Sequence, residues 1–280
     1  MKMFMAAVCV VCLGLLIARQ ISHGKEVVIA TMAPEGVLHV THAQDNGRQD
    51  VADRNNTARQ SAEQFQREIK LDYLLALPEA YESQDSWPLV LFLHGAGERG
   101  SDLNQVKVHG PPKLIESGKR FSFILVSPQC PRTIKDHNGN QRRGWWEPLA
   151  LTALLDEVVA KHNVDKNRIY VTGLSMGGFG TWALAAHTPH RFAAIAPICG
   201  GGDPQTCVRI AGIPAWVFHG DQDTVVPLER SQAMVDGLQS AGNEARFTTY
   251  EGVGHDSWTE TYANPELYEW LLSHSLDSRE

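Results

Sequence analysis

Strand-like and helix-like segments alternate along most of this chain. Short apolar or alternating runs bounded by turn residues predict seven β-strands, at 71–77, 89–93, 123–126, 169–172, 193–198, 215–218 and 246–250. Apolar residues at helical spacing fall between several of these runs, in 151–159, 228–238 and 267–272. Runs such as LVLFL at 89–93 are apolar throughout, which is typical of strands buried on both faces. The pattern predicts an α/β fold with a mostly parallel central sheet and helices on both faces.

The N-terminus has the residue order of a secretory signal. Lys2 precedes an apolar run at 3–18, and polar residues follow it. The run is shorter than the ~20 residues that a membrane-spanning helix needs, so an anchor is the weaker interpretation. Ser22 and Gly24 are small residues that fit cleavage before Lys25. We therefore expect residues 1–24 to be a signal peptide and the protein to be secreted or periplasmic, without stable membrane insertion.

Two further segments follow this signal. Residues 25–62 mix short apolar stretches with a long polar one and show no sustained period, so they are interpreted as an N-terminal extension or linker. Residues 63–280 contain all the predicted strands and show no internal repeat, which predicts a single α/β domain.

The charge of the chain excludes one class of partner. The formal net charge is −7, and removing Lys2 and Arg19 with the signal makes it −9. Such a chain has no general attraction for phosphate backbones or anionic lipid, so we expect no nucleic-acid partner.

Three cysteines remain after the predicted cleavage: Cys130, Cys199 and Cys207. In an oxidising compartment, Cys199 and Cys207 are the better candidates for a disulfide. The alternative, three buried thiols that pack as small apolar side chains, is equally well supported.

The segment Gly173-Leu174-Ser175-Met176-Gly177 is the sharpest local motif. It follows the predicted strand IYVT and precedes the helix-like FGTWALAAH. A G-x-S-x-G pattern is weak alone, but between a strand and a helix it is typical of a turn that raises a nucleophilic serine above the sheet edge. A serine hydroxyl needs a base to remove its proton, so Ser175 requires a histidine and an acid at the same edge.

Two later strand ends supply an acid and a histidine. One strand runs into His219-Gly220-Asp221-Gln222-Asp223, and the next runs into Gly252-Val253-Gly254-His255. The chain order is serine, acid, histidine, as in α/β-hydrolases. Asp221 and Asp223 compete for the role of the acid, and we favour Asp223. The strand at 89–93 ends in His94-Gly95-Ala96-Gly97, which fits a loop that donates an N–H to an oxyanion, with the N–H of Met176 as the other donor.

Together these motifs resemble the α/β-hydrolase superfamily, and within it the secreted serine esterases and predicted peptidases related to dienelactone-hydrolase-like and carbohydrate-esterase proteins. The resemblance covers roughly residues 65–275 and is carried by LFLHGAGERGSD at 91–102, VDKNRIYVTGLSMGGFGTW at 164–182, WVFHGDQDTVVP at 216–227 and GVGHDSW around His255. It implies that Asp223 is the acid and that Ala96 and Met176 donate the oxyanion N–H groups. Dienelactone hydrolases proper use a cysteine nucleophile where this chain has Ser175, so that name would describe the fold and not the reaction.

Aromatic residues near the predicted site are candidates for substrate contact. Trp145 and Trp146 lie in the stretch 130–148, which follows a predicted strand end, and Trp258 lies three residues after His255. Paired tryptophans either pack in the core or form an aromatic wall for a substrate. Between Cys199 and Pro214, where many lipases insert a helical cap, only 15 positions are available. We therefore expect no large cap domain, and an open site that suits short-chain esters or ester groups on a polymer.

These observations predict an exported serine carboxylic-ester hydrolase that needs no metal and no organic cofactor, with a small-molecule or polysaccharide-linked acetyl or feruloyl ester as substrate. A serine peptidase of the prolyl-oligopeptidase-like type uses the same side chains and is the first alternative. A non-catalytic binding protein on a hydrolase fold is the second.

Overall fold

The computed structural model describes residues 70–135 and 139–278, and for three N-terminal strands the backbone alone. The chain divides into two compact units, Met1–Lys70 and Leu71–Glu280. In the first unit β1 (Ile17–Ala18), β2 (Glu26–Met32) and β3 (Leu38–Gln44) form an antiparallel sheet in the order β1-β2-β3. The sequence pattern predicted no strands in 25–62, although β2 contains the β-branched run VVI. Apart from Ile17 and Ala18, the predicted signal peptide and its cleavage site lie outside the described residues.

The second unit is built on a seven-stranded sheet. Its strands are β4 (Tyr73–Ala76), β5 (Trp87–Leu93), β6 (Ile124–Pro128), β9 (Val164–Leu174), β10 (Ala194–Ile198), β11 (Trp216–Gly220) and β12 (Arg246–Tyr250), and a separate hairpin joins β7 (Thr133–Lys135) to β8 (Gln141–Arg143). The strand order is β12-β11-β10-β9-β5-β6-β4. Every neighbouring pair is parallel except β4 and β6. The carboxyl ends of the parallel strands therefore meet at one sheet edge, where a site is expected.

Among the described residues, seven α-helices connect or flank these strands. They are α1 (Gly110–Glu116), α2 (Pro148–Lys161), α3 (Met176–His187), α4 (Cys207–Ile210), α5 (Glu229–Ser240), α6 (Trp258–Ala263) and α7 (Pro265–Leu272). The seven predicted strands and the predicted helices at α2, α3, α5 and α7 are present. The predicted α/β fold is confirmed.

The core has two layers, one on each face of the sheet. Along β5 the alternate residues Leu89, Leu91 and Leu93 join buried residues of α2, α3, α4 and α5. Val90 and Phe92 point the other way and pack with residues of α1, α6 and α7. Every residue of β5 is buried, as expected for a strand that is apolar on both faces.

The connection between β10 and β11 is short. Residues 199–215 are all described and hold a single 3₁₀ turn, Pro204–Thr206, followed by the four-residue helix α4. A cap domain is therefore absent from this position, as expected. Within the described residues, none of the helices has the length and apolar character needed to cross a bilayer.

The three cysteines of the second unit are free thiols. Cys130, Cys199 and Cys207 are each buried and unpaired. Burial raises the pKa of the Cys199 thiol to about 12 and that of Cys130 to about 11. The structure therefore has the second of the two cysteine arrangements, in which the thiols pack as small apolar groups.

Candidate active site

Ser175 lies at a sharp turn between β9 and α3. Its φ of 51° and ψ of −115° are a strained conformation for a residue other than glycine. The Ser175 N–H donates to the Ile198 carbonyl over 2.9 Å, which ties the turn to the end of β10. A Cβ on Gly177 would lie 1.9 Å from the Leu93 carbonyl oxygen, so only glycine allows the helix to start this close to β5. The hydroxyl of Ser175 is half-buried at the carboxyl edge of the sheet.

His255 lies between Ser175 and Asp223. Its Nε2 is 2.9 Å from the Ser175 Oγ, and its Nδ1 is 2.6 Å from the Asp223 Oδ2. A carboxylate only accepts hydrogen bonds, so Nδ1 carries the proton and Nε2 is free to accept the serine proton. The structure thus brings together the three residues that the motifs single out, from three different strand ends.

Asp223 is a buried carboxylate with three hydrogen-bond donors. Its side chain is fully buried, and its Oδ1 accepts the N–H groups of Val225 at 2.8 Å and Val226 at 2.9 Å. Burial would raise its pKa, but hydrogen bonds from His255 and from the Val226 and Val225 N–H groups outweigh burial and hold the pKa below its usual value. Asp223 therefore carries a negative charge beside His255 at neutral pH.

Asp221, the competing acid, contacts a different partner. Its carboxylate accepts the Gly252 N–H at 2.7 Å, and the neighbouring Gln222 N–H donates to the Val253 carbonyl at 2.9 Å. A Cβ on Gly220 would come within 2.3 Å of the Val253 and Gly254 carbonyl oxygens. These contacts join the loop that carries Asp223 to the loop that carries His255. Asp221 thus links the two loops rather than touching the histidine.

The loop after β5 presents the predicted oxyanion donor Ala96. The Ala96 N–H belongs to the same peptide unit as the Gly95 carbonyl, and His94 Nδ1 lies 2.6 Å from that carbonyl oxygen. The Cys130 N–H donates to His94 Nε2 over 3.0 Å, so Nδ1 carries the ring proton and donates to Gly95. Burial lowers the pKa of His94 to about 4, which keeps the ring neutral. The second predicted donor, the Met176 N–H, lies in the first turn of α3, where N–H groups have no intrahelical partner.

The rest of this loop is held by further polar side chains. The Gln129 amide donates to the carbonyls of Glu98 and Asp102 at 2.8 and 2.9 Å, and Arg99 donates to the Ala96 carbonyl at 3.2 Å. The sequence motifs assigned no role to Gln129 or to the His94 ring. A polar residue at the end of a fully apolar strand is the signal that could have indicated His94, because a buried polar group needs a partner.

The three predicted substrate-contacting tryptophans have different surroundings. Trp146 is only 3% exposed and donates its indole N–H to the His94 carbonyl at 3.1 Å. It supports the loop from behind, so its predicted substrate contact is replaced by a structural role. Trp258 packs edge-on against the His255 ring, with ring centres 5.2 Å apart.

Trp145, by contrast, is 46% exposed. It borders a cleft of about 540 Å³ along α3 that is also lined by Phe179, Arg209 and Arg230. Phe179 lies one helical turn after Ser175, and its N–H donates to the Ser175 carbonyl. The Arg230 guanidinium lies over the Phe179 ring, 5.7 Å from its centre. The cleft therefore combines aromatic with cationic walls along the helix that begins after Ser175, and Ser175, Asp223 and His255 are not among the residues that line it.

One group of side chains has the composition of a metal site. Possible ligand atoms of Cys199, Asp223 and His255 lie within 4.8 Å of one another. The Cys199 thiol is buried and its raised pKa disfavours the thiolate that binds metal, while Asp223 and His255 already bond each other. The residues therefore fit a hydrogen-bonded relay better than a resident metal.

Comparisons of the sequence with known proteins give consistent results. Residues 135–267, which include Ser175, Asp223 and His255, match the dienelactone hydrolase family. The chain is 35% identical to poly(3-hydroxyalkanoate) depolymerase C of Paucimonas lemoignei over 43% of its own length and 29% of the relative's. It is 27% identical to a probable feruloyl esterase C of Aspergillus terreus over 61% of its length and 63% of the relative's.

A solved structure gives a similar result. The chain superposes on a crystal structure of a thermostable esterase with a TM-score of 0.61 and 32% identity, covering 90% of this chain and 63% of that one. The chain spans less than two thirds of the length of each of these three proteins.

Proposed function

We propose that this chain, which has the α/β-hydrolase fold and a dienelactone hydrolase family match over residues 135–267, is a serine hydrolase of carboxylic esters. The observation that carries the proposal is the continuous relay from Ser175 through His255 to Asp223, with contacts of 2.9 and 2.6 Å. The strained backbone of Ser175 supports the same interpretation, because strain of this kind persists where a reacting group must be held in place.

Acylation follows from the positions of the protons. His255 Nε2 removes the Ser175 hydroxyl proton while Oγ attacks the ester carbonyl carbon, and Asp223 stabilises the imidazolium that forms. The carbonyl oxygen becomes an oxyanion and accepts the N–H groups of Ala96 and Met176. His255 then gives its proton to the leaving alcohol as the carbon–oxygen bond breaks. Water, deprotonated by the same nitrogen, hydrolyses the acyl-enzyme and restores Ser175.

The proposed substrate class rests on the cleft that runs along α3, the helix that begins after Ser175. Trp145 and Phe179 offer aromatic faces to an acyl group, and Arg209 and Arg230 offer hydrogen-bond donors to its polar substituents. A hydroxycinnamoyl ester such as ferulate has both features, and the feruloyl esterase among the relatives supports this choice. Because residues 199–215 form no cap, an ester attached to a polysaccharide reaches the serine.

We further propose that the enzyme is exported. The charged and then apolar residues of 1–24 support removal of a signal peptide. Polymeric substrates do not enter cells, so an esterase of this specificity has to meet its substrate outside the cytoplasm.

Kinetics on a panel of substrates test the function. We expect the wild type to cleave para-nitrophenyl acetate, methyl ferulate and acetylated xylan, and Ser175→Ala to lose about 10⁴-fold or more in kcat/KM. Ser127→Ala, at another buried serine, is the control and is expected to retain activity. A peptide anilide as the best substrate would favour the peptidase alternative. Failure to turn over any activated ester would favour the binding protein.

A further inference from the structure

His219 is a buried histidine that the sequence motifs left without a role. It lies in β11, four residues before Asp223, and its side chain is fully buried. Nε2 lies 2.8 Å from the Val226 carbonyl oxygen and 3.2 Å from the Asp223 Oδ2, and Nδ1 lies 2.7 Å from the Ser231 Oγ. Both ring nitrogens therefore have polar partners inside the core.

The partners of Nε2 determine where a proton sits. A carbonyl oxygen only accepts hydrogen bonds, so Nε2 carries a hydrogen and donates it to the Val226 carbonyl. The Asp223 Oδ2 lies 3.2 Å from the same nitrogen, which is an electrostatic contact without hydrogen-bond geometry. The opposite nitrogen is held by Ser231 of α5, whose hydroxyl also contacts the Gly200 carbonyl at 2.7 Å. The His219 ring is thus fixed from α5 and from the loop after β10, and its one N–H binds the turn that follows Asp223.

This N–H holds the turn that binds Asp223. Asp223 Oδ1 accepts the N–H groups of Val225 and Val226, and the Val226 carbonyl accepts the His219 N–H. His219 therefore helps to fix the carboxylate through Val226. The positive end of the same N–H also lies near Oδ2, the oxygen that accepts from His255, so it stabilises the negative charge on that oxygen.

We propose that His219 is a positioning residue for the relay, which fixes the Asp223 carboxylate and weakens its pull on the His255 proton. The inference rests on the proposed serine mechanism. The titratable groups near His219 among the described residues are Asp223 and, through Asp223, His255 and the Cys199 thiol. Removing the His219 donor leaves Asp223 a stronger acceptor for His255, so His255 holds its proton to higher pH and is inactive as a base over a wider range.

Two substitutions of His219 test the proposal. His219→Phe keeps a ring but has no N–H, and we expect kcat to fall about 10- to 100-fold with KM within about twofold. The acidic limb of the profile of kcat/KM against pH should move to higher pH. His219→Gln places an amide N–H near the position of Nε2 and should restore the limb and part of kcat. Ser231→Ala should shift the limb in the same direction by less.

A matched control separates positioning from general loss of stability. Tyr262→Phe removes a buried hydroxyl that lies 3.1 Å from the Thr172 hydroxyl in the other core layer. We expect this variant to lower Tm without moving the acidic limb. A folded His219→Phe enzyme with unchanged kcat and an unchanged limb would overturn the proposal.

If His219→Phe does not fold, measurements on the wild type and on Ser231→Ala still test the proposal. Nitrogen-15 NMR of the wild type should find a proton on His219 Nε2, and an unprotonated Nε2 would overturn the proposal, whether or not the limb moves in Ser231→Ala. Wild-type protein that cleaves no ester refutes the proposed function, whereas an active wild type with unaffected His219 variants refutes this inference alone.

Discussion

At the scale of single residues, the reacting groups are held by buried polar partners. His94 is the clearest example, since its ring accepts from the Cys130 N–H and donates to the Gly95 carbonyl, which fixes the peptide unit that carries the Ala96 N–H. Both bonds require a neutral ring with its proton on Nδ1. The low pKa of His94 therefore connects the proposed oxyanion donor to the stability of the fold.

The stability of the protein should depend on His94 between pH 6.5 and pH 4. Burial lowers the pKa of His94 from 6.5 to about 4, so within this range the unfolded chain binds a proton that the folded chain does not. The free energy of unfolding therefore falls with falling pH, by up to about 1.4 kcal/mol per pH unit from this group. In His94→Gln, which has no titratable ring, the loss between pH 7 and pH 5 should be smaller. Urea unfolding at the two pH values measures it, with the exposed His190→Gln as control, and equal losses in wild type and His94→Gln would contradict the account.

Some of these partners cannot be found by reading motifs. The G-x-S-x-G segment and the two loops that carry Asp223 and His255 are local patterns, so the sequence predicted three residues that the structure brings into one relay. Gln129 reaches carbonyls 31 and 27 residues away, and no local pattern marks such a contact. Trp146 is a different case, because an aromatic residue next to a site packs in the core as readily as it meets substrate.

At the scale of elements, close contacts between backbones govern the turn at Ser175. The helix α3 begins against the ends of β5 and β10, and Gly177 and Gly178 are the residues at the contacts. A Cβ at either position would lie 2.5 Å or less from a carbonyl oxygen of the neighbouring strand.

Gly177→Ala should therefore displace α3. We expect a loss of about 3 kcal/mol or more in the free energy of unfolding, because the clash is with backbone that has no alternative rotamer. Ester turnover should fall with it, since Ser175 begins the same helix. Gly212→Ala, where a Cβ has no neighbour within 4 Å, is the matched control and should be within about 0.5 kcal/mol of wild type. Equal stability of the two variants by urea unfolding would show that the helix can move without cost.

The cleft along α3 gives a prediction about specificity. Trp145→Ala should raise KM for methyl ferulate several-fold, because burial of an aromatic face against an acyl ring contributes about 1 kcal/mol. KM for para-nitrophenyl acetate should stay within about twofold, since an acetyl group has no aromatic ring to pack on the indole. Steady-state kinetics on both esters measure the effect. Equal changes in KM for the two substrates would show that Trp145 does not contact the acyl group.

Elements with a strong apolar period were predicted from the sequence, and elements with a weak period were not. The buried strands of the central sheet have continuous or alternating apolar runs that fix their type. Helix α1 has the sequence GPPKLIE and α6 has WTETYA, both too short and too mixed to show a helical period. Strands β2 and β3 have seven residues each, but they lie in a segment with a long polar stretch, and no strand was predicted there.

At the scale of the whole molecule, the proposed export of the enzyme is consistent with its net charge. The mature chain that we propose has a net charge of −9 and an uncapped site, which suits a soluble enzyme acting on esters outside the cytoplasm. The buried neutral thiols of Cys130, Cys199 and Cys207 do not depend on disulfide formation for their packing.

Processing of the signal can be measured directly. Expression of the full chain in a host with a secretory pathway should give a soluble product in the periplasm or medium whose first residue is at or near Lys25. N-terminal sequencing and intact mass check this. A full-length product retained with the membrane, or a cytoplasmic product that starts at Met1, would contradict the proposed export.

Ser175 is proposed to be a nucleophile that His255 and Asp223 activate. The most direct test of this proposal is covalent labelling with a fluorophosphonate probe, read by tryptic mass spectrometry. We predict a single adduct on Ser175, strongly reduced labelling in His255→Ala, and none in Ser175→Ala. Labelling of Ser175→Ala at the wild-type level, or an active wild-type enzyme that takes up no probe at Ser175, would contradict the account.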